Sequence, residues 1–421
     1  MTWFAFFLCF FAWFGIAPLM PIVRDELKLT KDQVGWCIIG SVAITIVARL
    51  LIGCLCDRIG PRLAYTGLLV VGSLPVMGIG LANSFETFLL FRVLIGIIGA
   101  SFVITQYHTS LMFAPNCIGT ANATTAGWGN LGGGVTQIGM PLLFAGLVSV
   151  CGFSEAVGWR MAMAVAGGLC LLTGLAYYSW TQDAPEGNFS TLRAAGAIPT
   201  AKQTKGSFLA AASDYRVWAL ALIYSACFGL ELTLDNIAAL YFTDYFGLDL
   251  HWAGLAAASF GMMNLFARAL GGYISDKCAV TFGLQGRVRW LFFAILGEGL
   301  CLMLFASMKV VWLAIPAMLL LGLFVKMSNG ATYAVVPFVN KKALGSVAGI
   351  VGAGGNLGAV AAGFLFKGSL DWSVALMALG VFVTLSAFAT LAVNFPAEVP
   401  AESDSSVEPV QLPTSTELAT A

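Results

Sequence analysis

Residues 48–62 read ARLLIGCLCDRIGPR, and residues 267–277 read ARALGGYISDK. The two stretches share an arginine, a glycine and an aspartate at identical spacing. One offset of 219 residues relates three pairs: Arg49 with Arg268, Gly53 with Gly272, and Asp57 with Asp276. A second repeat, GNLGGG (129–134) and GNLGAV (355–360), matches Asn130 with Asn356. The chain therefore consists of two related halves.

The composition indicates a membrane protein. The 421 residues are 59% hydrophobic and 10% charged, whereas soluble domains carry about 25% charged residues. Apolar runs long enough to cross a bilayer fall near residues 3–23, 33–56, 62–82, 86–108, 122–148, 159–180, 215–243, 251–275, 287–307, 311–335, 343–366 and 372–395. We predict an all-α integral membrane protein with twelve transmembrane helices in two pseudo-symmetric six-helix bundles, a plan typical of secondary transporters.

Two polar segments divide the chain. We expect an N-terminal bundle over residues 1–180, a linker over 181–214, a C-terminal bundle over 215–395 and a disordered tail over 396–421. Lys and Arg are concentrated in the loops on one side, which predicts a cytoplasmic linker and two cytoplasmic termini. Almost no polar leader precedes the first run, so a missing N-terminal segment stays an open alternative.

Several function classes are disfavoured by composition. The net charge is zero, which gives no basic field for nucleic acid. The ten cysteines form no C-x-x-C pair, and the chain has two histidines, so we expect neither a metal site nor a cofactor. His, Cys and carboxylates are not clustered at one depth, so we do not expect an enzyme.

The stretch AGWGNLGGGVTQ (126–137) contains G-x-G-x-x-G but lies inside an apolar run, without the preceding strand that a dinucleotide fold requires. Read as a helix, its glycines and Asn130 share one face, as do those around Asn356 in the eleventh run. Such stripes allow helix backbones to approach closely in lipid. We therefore predict packing roles for Gly127, Gly134, Gly352 and Gly363.

At these stretches the sequence resembles the nitrate/nitrite porters of the major facilitator superfamily. GWGNLGGGVTQ (127–137) and GAGGNLGAVAAG (352–363) resemble that family's paired nitrate signatures. Three further stretches are similar to superfamily or high-affinity-branch motifs: GCLCDRIGPR (53–62), FRVLIGIIGA (91–100) and CFGLELTLDN (227–236). Residues 6–30 also match the plant, algal and cyanobacterial high-affinity branch. The resemblance covers the chain except its linker and tail, and implies the major facilitator fold and nitrate transport.

Two intramembrane arginines are the first candidates for binding an anion. An arginine at a helix centre costs about 2.5–3.5 kcal/mol on insertion scales, so symmetric Arg49 and Arg268 suggest a compensating anion. The planar guanidinium suits a planar oxyanion better than a lysine does. The resemblance implies the same role, and Asn130 and Asn356 are the accompanying amides. The alternative is that each arginine pairs with a buried carboxylate.

Aromatic side chains are the second group of candidates. Tyr224 and Phe228 lie one turn apart in the seventh run, where flat rings would exclude water and orient a planar anion. The resemblance implies this role for both, although core packing is the ordinary alternative. Phe10 and Phe14 are weaker candidates.

Charged residues supply the remaining predictions. Glu231 and Asp235 share a helix face with Tyr224 and Phe228 and are candidates for proton coupling, Glu231 being preferred. Their alternatives are helix capping or an outer gate. A latch at the cytoplasmic face is expected from Gly53, Asp57, Arg58, Arg62 and Asp276. Arg92 is interpreted as structural, and the role of Lys326 stays open between a modulating charge and a side chain that extends to solvent.

These observations predict a secondary active transporter that imports nitrate, and also nitrite, by alternating access coupled to proton symport. The alternatives are a nitrate/nitrite exchanger and a major facilitator carrier for another small anion. The expected partners are nitrate or nitrite, protons and the lipid bilayer, with no nucleic acid. We expect a functional monomer in the plasma membrane or the bacterial inner membrane, and an accessory subunit stays an open question.

Overall fold

The computed structural model of the chain describes residues 1–198, 206–248, 250–367 and 370–395. Within these ranges, eleven helices are long and apolar enough to cross a membrane. One of them, Leu255–Ser307, has 53 residues, too many for one crossing of a hydrocarbon core about 30 Å thick. Its backbone is non-helical at Phe282 and Gly283, where two helices meet. The all-helical membrane fold is thus confirmed, with all twelve predicted spans accounted for.

The spans have the following bounds. In chain order they are Thr2–Leu27 (span 1), Asp32–Ile59 (span 2), Pro61–Leu81 (span 3), Phe85–Met112 (span 4), Ile118–Ser149 (span 5), Glu155–Trp180 (span 6), Tyr215–Ala238 (span 7), residues 255–281 (span 8), residues 284–307 (span 9), Val311–Phe338 (span 10), Lys341–Phe366 (span 11) and Trp372–Ala392 (span 12). Two short helices, Phe189–Ala194 and Ser207–Ala212, lie in the predicted linker. Residues 199–205 of that linker and the predicted tail 396–421 lie outside the described residues.

Polar side chains fix where some spans begin. At span 2 the backbone N–H of Gln33 donates to the Thr30 hydroxyl at 3.2 Å, and the Thr30 N–H donates to the Gln33 side chain at 2.9 Å. At span 7 the Asp214 carboxylate accepts from the Arg216 backbone N–H at 2.9 Å. The Arg216 guanidinium also hydrogen-bonds that carboxylate and lowers the pKa of Asp214 below its usual range.

Each half packs largely within itself. In the first half, span 1 lies against spans 5 and 6, and span 3 lies against span 6. In the second half, span 7 lies against span 11, and span 9 lies against spans 10 and 12, where Gly297 meets Phe324 and Gly299 meets Thr384. Between the halves, span 2 packs on span 11 and span 5 packs on span 8. Because span 8 repeats span 2 and span 11 repeats span 5, each half presents the same pair of helices to the other.

The halves come into backbone contact at the end of the bundle that carries residues 181–198, which we name the linker side. A Cβ added to Gly53 of span 2 would overlap the carbonyl oxygen of Gly345 in span 11. A Cβ added to Gly272 of span 8 would overlap the Gly119 carbonyl of span 5 in the same way. Glycine is needed at both positions because no side chain fits between the helices.

Two repeat-related aspartates cap helices of the opposite half. Asp57 accepts hydrogen bonds from the backbone N–H groups of Gly345 at 2.9 Å and Ser346 at 3.0 Å, at the start of span 11. Asp276 accepts from the backbone N–H of Thr120 at 2.6 Å, at the start of span 5. A carboxylate at a helix N-terminus contributes about 0.3–1 kcal/mol, and up to about 2 kcal/mol when partly buried. These contacts therefore hold the linker side closed.

The two arginines of the predicted latch do not take part in it. Arg58 is exposed, and its backbone carbonyl accepts from Arg193 at 2.5 Å. The Arg62 guanidinium donates to the Tyr178 carbonyl of its own half at 2.6 and 2.8 Å. The backbone N–H groups of Gly345 and Ser346 donate to the Asp57 carboxylate instead, so this carboxylate does not need a cationic partner. We therefore use the name latch for Gly53, Asp57, Gly272 and Asp276.

We expect Gly53→Ala to separate the halves at the linker side, because the added methyl group would overlap a backbone carbonyl that cannot move alone. Spin labels on Arg58→Cys and Lys342→Cys, both exposed positions, would report the separation by pulsed electron spin resonance after the native cysteines are replaced. The Gly53→Ala distances should shift to longer values. Gly67→Ala is the matched control, since an added Cβ there meets no atom within 4 Å. Wild-type distances in Gly53→Ala would show that closure does not depend on this contact.

Candidate functional site

Two arginines lie at the centre of the interface between the halves. Arg49 of span 2 is 0% exposed, and Arg268 of span 8 is 1% exposed. Their guanidinium carbons lie 5.3 and 5.8 Å, respectively, from the centre of the Phe228 ring in span 7. The structure therefore brings one cation from each half to the same aromatic ring.

Neither guanidinium is fully hydrogen-bonded. Arg49 donates through Nη1 to the Gly352 carbonyl at 2.5 Å and through Nε to the Gly99 carbonyl at 3.4 Å. Arg268 donates through Nη2 to the Tyr224 hydroxyl at 3.5 Å. Arg49 Nη2 and Arg268 Nε and Nη1 have no hydrogen-bond partner among the described residues. Buried guanidinium donors of this kind suit an oxyanion.

Three aromatic rings form a parallel stack beside the arginines. Tyr224 and Phe228 have ring centres 5.1 Å apart and planes inclined by 3°. Phe102 of span 4 lies 5.9 Å from Tyr224 and 6.2 Å from Phe228, inclined by 12° and 14°. We name Phe102, Tyr224 and Phe228 the aromatic stack. Tyr333 of span 10 meets Tyr224 edge-on at 5.0 Å and donates from its hydroxyl to the Ala348 carbonyl at 3.1 Å.

The sequence gives no signal for two of these rings. Phe102 and Tyr333 come from spans 4 and 10, and the chain has 31 phenylalanines and 10 tyrosines. No motif or repeat distinguishes the two from the others. Their place in the site follows from how the two halves pack, which only the fold reveals.

Two amide side chains flank this region. Asn356 of span 11 is fully buried, and neither its amide nitrogen nor its amide oxygen has a partner among the described residues. Its neighbour Gly355 lies directly against the Tyr224 and Phe228 rings. Asn130 also has an unpartnered amide nitrogen, and it lies one turn beyond Gly127, which contacts span 8. Both amides are therefore available to a small polar ligand.

The predicted packing glycines divide into two groups. Gly127 lies against the backbone of span 8, and a Cβ on Gly352 would meet the Tyr333 hydroxyl at 3.1 Å and Arg49 Cδ at 3.5 Å. By contrast, Gly134 and Gly363 are exposed, and an added Cβ at either meets no atom within 4 Å. The packing role expected of these two is not observed, because no other helix reaches them at their positions further along spans 5 and 11.

Glu231 is the carboxylate that the structure brings to Arg268. It lies 2.8 Å from Lys326 Nζ and 3.6 Å from Arg268 Nη2. The amide groups of Asn264 and Asn329 also donate to it, at 3.1 and 2.7 Å. Lys326 is 0% exposed, so it does not extend to solvent but forms an ion pair inside the second half. The Arg268 contact is longer than a hydrogen bond, so the predicted carboxylate pairing is present but incomplete.

The other candidates make no direct contact with this cluster. Asp235 is exposed and has neither an ion pair nor a hydrogen bond within the described part of the chain, although its charge interacts with Glu231, Lys326 and Arg268. Arg92 donates to the Trp13 carbonyl at 3.1 Å inside the first half, which fits a structural role. Phe10 and Phe14 pack on each other at 5.7 Å in the same half. Asp235 thus stays one turn from Glu231 on the same helix face, but it forms no ion pair of its own.

Three comparisons relate the sequence and the fold of this chain to known proteins. The family model described as Major Facilitator Superfamily matches residues 2–360 and 235–417. The chain is 40% identical to "High affinity nitrate transporter 2.5" of Arabidopsis thaliana, covering 88% of this chain and 73% of the relative. It is 31% identical to "Nitrate/nitrite transporter NrtP" of Nostoc punctiforme, covering 85% and 84%. The fold is similar to the solved proton:xylose symporter XylE, with a TM-score of 0.69, 15% identity, and 92% and 93% coverage.

The ion pair between Lys326 and Glu231 yields a stability prediction. Removing one partner of a buried pair leaves an uncompensated charge and typically costs about 3–5 kcal/mol. We therefore expect Lys326→Met to lower the unfolding free energy in detergent by about this amount. Glu231→Gln combined with Lys326→Met should cost less than the two single changes added together. Lys309→Met, at an exposed lysine, is the control. Strictly additive costs would show that the two groups are not energetically coupled.

Proposed function

Because this chain belongs to the nitrate transporters of the Major Facilitator Superfamily, we propose that it imports nitrate, with nitrite as a second substrate, by secondary active transport. One observation carries the proposal. Two fully buried arginines, one from each half, keep unpartnered N–H donors at the same aromatic stack. The two positive charges repel each other, and a small anion bound between the halves would compensate both of them.

The shape and chemistry of nitrate fit these side chains. It is planar and singly charged, so a guanidinium fork offers two parallel donors to it, as to a carboxylate. The unpartnered amides of Asn130 and Asn356 supply further donors. The flat rings of Tyr224 and Phe228 exclude water from one side. Sugars, which lack charge, would leave the arginines uncompensated.

Alternating access is the second part of the proposal. The moving units are the bundles 1–180 and 215–395, and the arginines lie where they meet. We assign the linker side to the cytoplasm, because Lys and Arg are concentrated there. The latch then closes the cytoplasmic side, and inward opening must break the caps that Asp57 and Asp276 place on the opposite half. We further propose a functional monomer in the plasma membrane or the bacterial inner membrane.

Energy coupling is the third part. An inside-negative potential opposes anion import by about 2.3 kcal/mol per charge per 100 mV. One proton would only neutralise nitrate, whereas two would let the potential drive import. Glu231 is the coupling group we favour, since it lies 3.6 Å from Arg268. Nitrate bound at Arg268 would weaken the hold of that arginine on the carboxylate, which then accepts a proton more readily.

The guanidinium fork is tested by Arg49→Lys and Arg268→Lys. Each variant keeps the charge but loses the second donor of the fork. Losing one charge-assisted hydrogen bond costs about 1.5–3 kcal/mol, so nitrate affinity should fall about 10- to 150-fold. Titration of purified protein with nitrate measures this, with Arg289→Lys, at an exposed arginine, as the control. Wild-type affinity in both site variants would exclude the fork as the binding device.

The coupling group is tested by Glu231→Gln in proteoliposomes. With an inwardly directed proton gradient, wild-type protein should accumulate isotopically labelled nitrate. The variant should lose this accumulation but retain measurable nitrate exchange, because the amide cannot carry a proton. Accumulation at the wild-type level would mean that protons bind elsewhere. Wild-type protein that exchanges nitrate for internal nitrite without any response to the gradient would instead identify an exchanger.

A further inference from the structure

A second carboxylate is buried in the C-terminal half and forms no ion pair with any described residue. Glu298 of span 9 is 0% exposed. The Ser328 hydroxyl of span 10 donates to its Oε2, and its Oε1 has no partner among the described residues. The sequence did not single out this residue, because span 9 has no counterpart to the paired signatures.

The surroundings of Glu298 are defined by four helices. Span 7 presents Glu231 and Cys227, span 10 presents Lys326, and its own span presents Cys301 one turn away. Span 12 has no titratable residue in its sequence. Among the described residues, the cation that interacts with Glu298 is Lys326, and its Nζ already lies 2.8 Å from Glu231. Glu298 therefore lacks an ionic partner, and an ionised carboxylate without one is very costly in a dry interior, whereas a protonated carboxyl group is not.

Span 10 connects this carboxylate to the anion site. Ser328 bonds Glu298, and the next residue, Asn329, donates to Glu231 at 2.7 Å. Lys326, two residues before Ser328, forms an ion pair with the other oxygen of Glu231. Both carboxylates are thus fixed to one stretch of one helix, and a shift of that helix alters the environments of both.

The charges of the buried cluster favour coupling between the anion and a proton. Its cations are Arg49, Arg268 and Lys326, and its carboxyl groups are Glu231, Glu298 and the nearby Asp235. Nitrate adds a further negative charge, so its arrival favours the protonated form of these carboxyl groups. Its departure removes that negative charge, which favours proton release. By linkage, the proton and the anion each strengthen the binding of the other.

We propose that Glu298 carries one of the two protons co-transported with each nitrate. This rests on the proposed function and adds a second proton-binding group to Glu231. A hydronium ion gives its proton to the unpartnered Oε1 of the ionised carboxylate: one O–H bond of the hydronium ion breaks, one O–H bond forms on the carboxyl group, and water leaves. After the halves rearrange, the bond breaks and the proton returns to water on the other side. No group is oxidised or reduced.

The driving force for uptake distinguishes one proton from two. In proteoliposomes with an inside-negative potassium diffusion potential and no pH gradient, two protons per nitrate carry net positive charge inward, so wild-type protein should accumulate labelled nitrate. Glu298→Gln should lose this potential-driven accumulation. It should retain accumulation driven by external acid, because one proton with one nitrate is electroneutral. Potential-driven accumulation by Glu298→Gln at the wild-type level would overturn the inference.

Two controls separate proton carriage from structure. Ser328→Ala removes the hydrogen bond but keeps the carboxylate, so it should keep potential-driven accumulation. Glu155→Gln removes an exposed carboxylate at the start of span 6 and should behave like wild type. Loss of potential-driven accumulation in Ser328→Ala equal to that in Glu298→Gln would identify a structural role and overturn the inference. If the wild-type protein exchanges no nitrate at all, the result would instead contradict the proposed function.

Infrared spectroscopy covers the case in which Glu298→Gln does not fold. Adding nitrate to wild-type protein should change a band of a protonated carboxyl group, and that band should shift in heavy water. Glu298→Asp should move the band because the carboxyl group changes its position. A nitrate-induced spectrum without any carboxyl band would overturn the inference, as would a band that Glu298→Asp leaves unchanged.

Discussion

Two like charges buried at one place set the main constraint on this protein. Arg49 and Arg268 arrive from different halves and lie within 6 Å of the centre of one ring. Their repulsion has to be offset inside a medium of low dielectric constant. Backbone carbonyls offset part of it for Arg49, and Glu231 offsets part of it for Arg268 at 3.6 Å. The two halves can therefore stay packed together around these arginines only if each arginine has a negatively charged or dipolar partner in the site.

The sequence predicts those parts of the molecule that are periodic or repeated. Apolar length gives the spans, and the 219-residue offset locates Arg49 and Arg268 before any helix is packed. The sequence cannot identify residues whose roles depend on contacts between different helices. Phe102 resembles every other buried phenylalanine until spans 4 and 7 are placed side by side. Lys326 has no sequence pattern at all, because its partner Glu231 lies on another helix.

Errors in the prediction have a common physical origin. A stripe of small residues shows that a helix face could pack closely, but not over what length. Gly127 and Gly352 lie where helices converge, whereas Gly134 and Gly363 lie where the same helices diverge and meet no neighbour. Likewise, the arginines that follow Asp57 in the sequence predict a salt bridge with it. The helix N-terminus of span 11 supplies backbone donors at 2.9 and 3.0 Å, which leaves Arg58 and Arg62 with other partners.

The latch is reciprocal: each half contributes the aspartate and glycine that the other half receives. Reciprocal contacts are those that two copies of one subunit make about a two-fold axis. A six-span ancestor could therefore have closed as a homodimer, with one arginine from each copy facing the centre. The 219-residue offset relates Glu231 and Glu298 of spans 7 and 9 to Ala12 and Ile79 of spans 1 and 3, neither of which is a carboxylate. Anion binding is thus compatible with identical subunits, whereas these carboxylates belong to one half alone and could diverge only after gene duplication had joined the two copies.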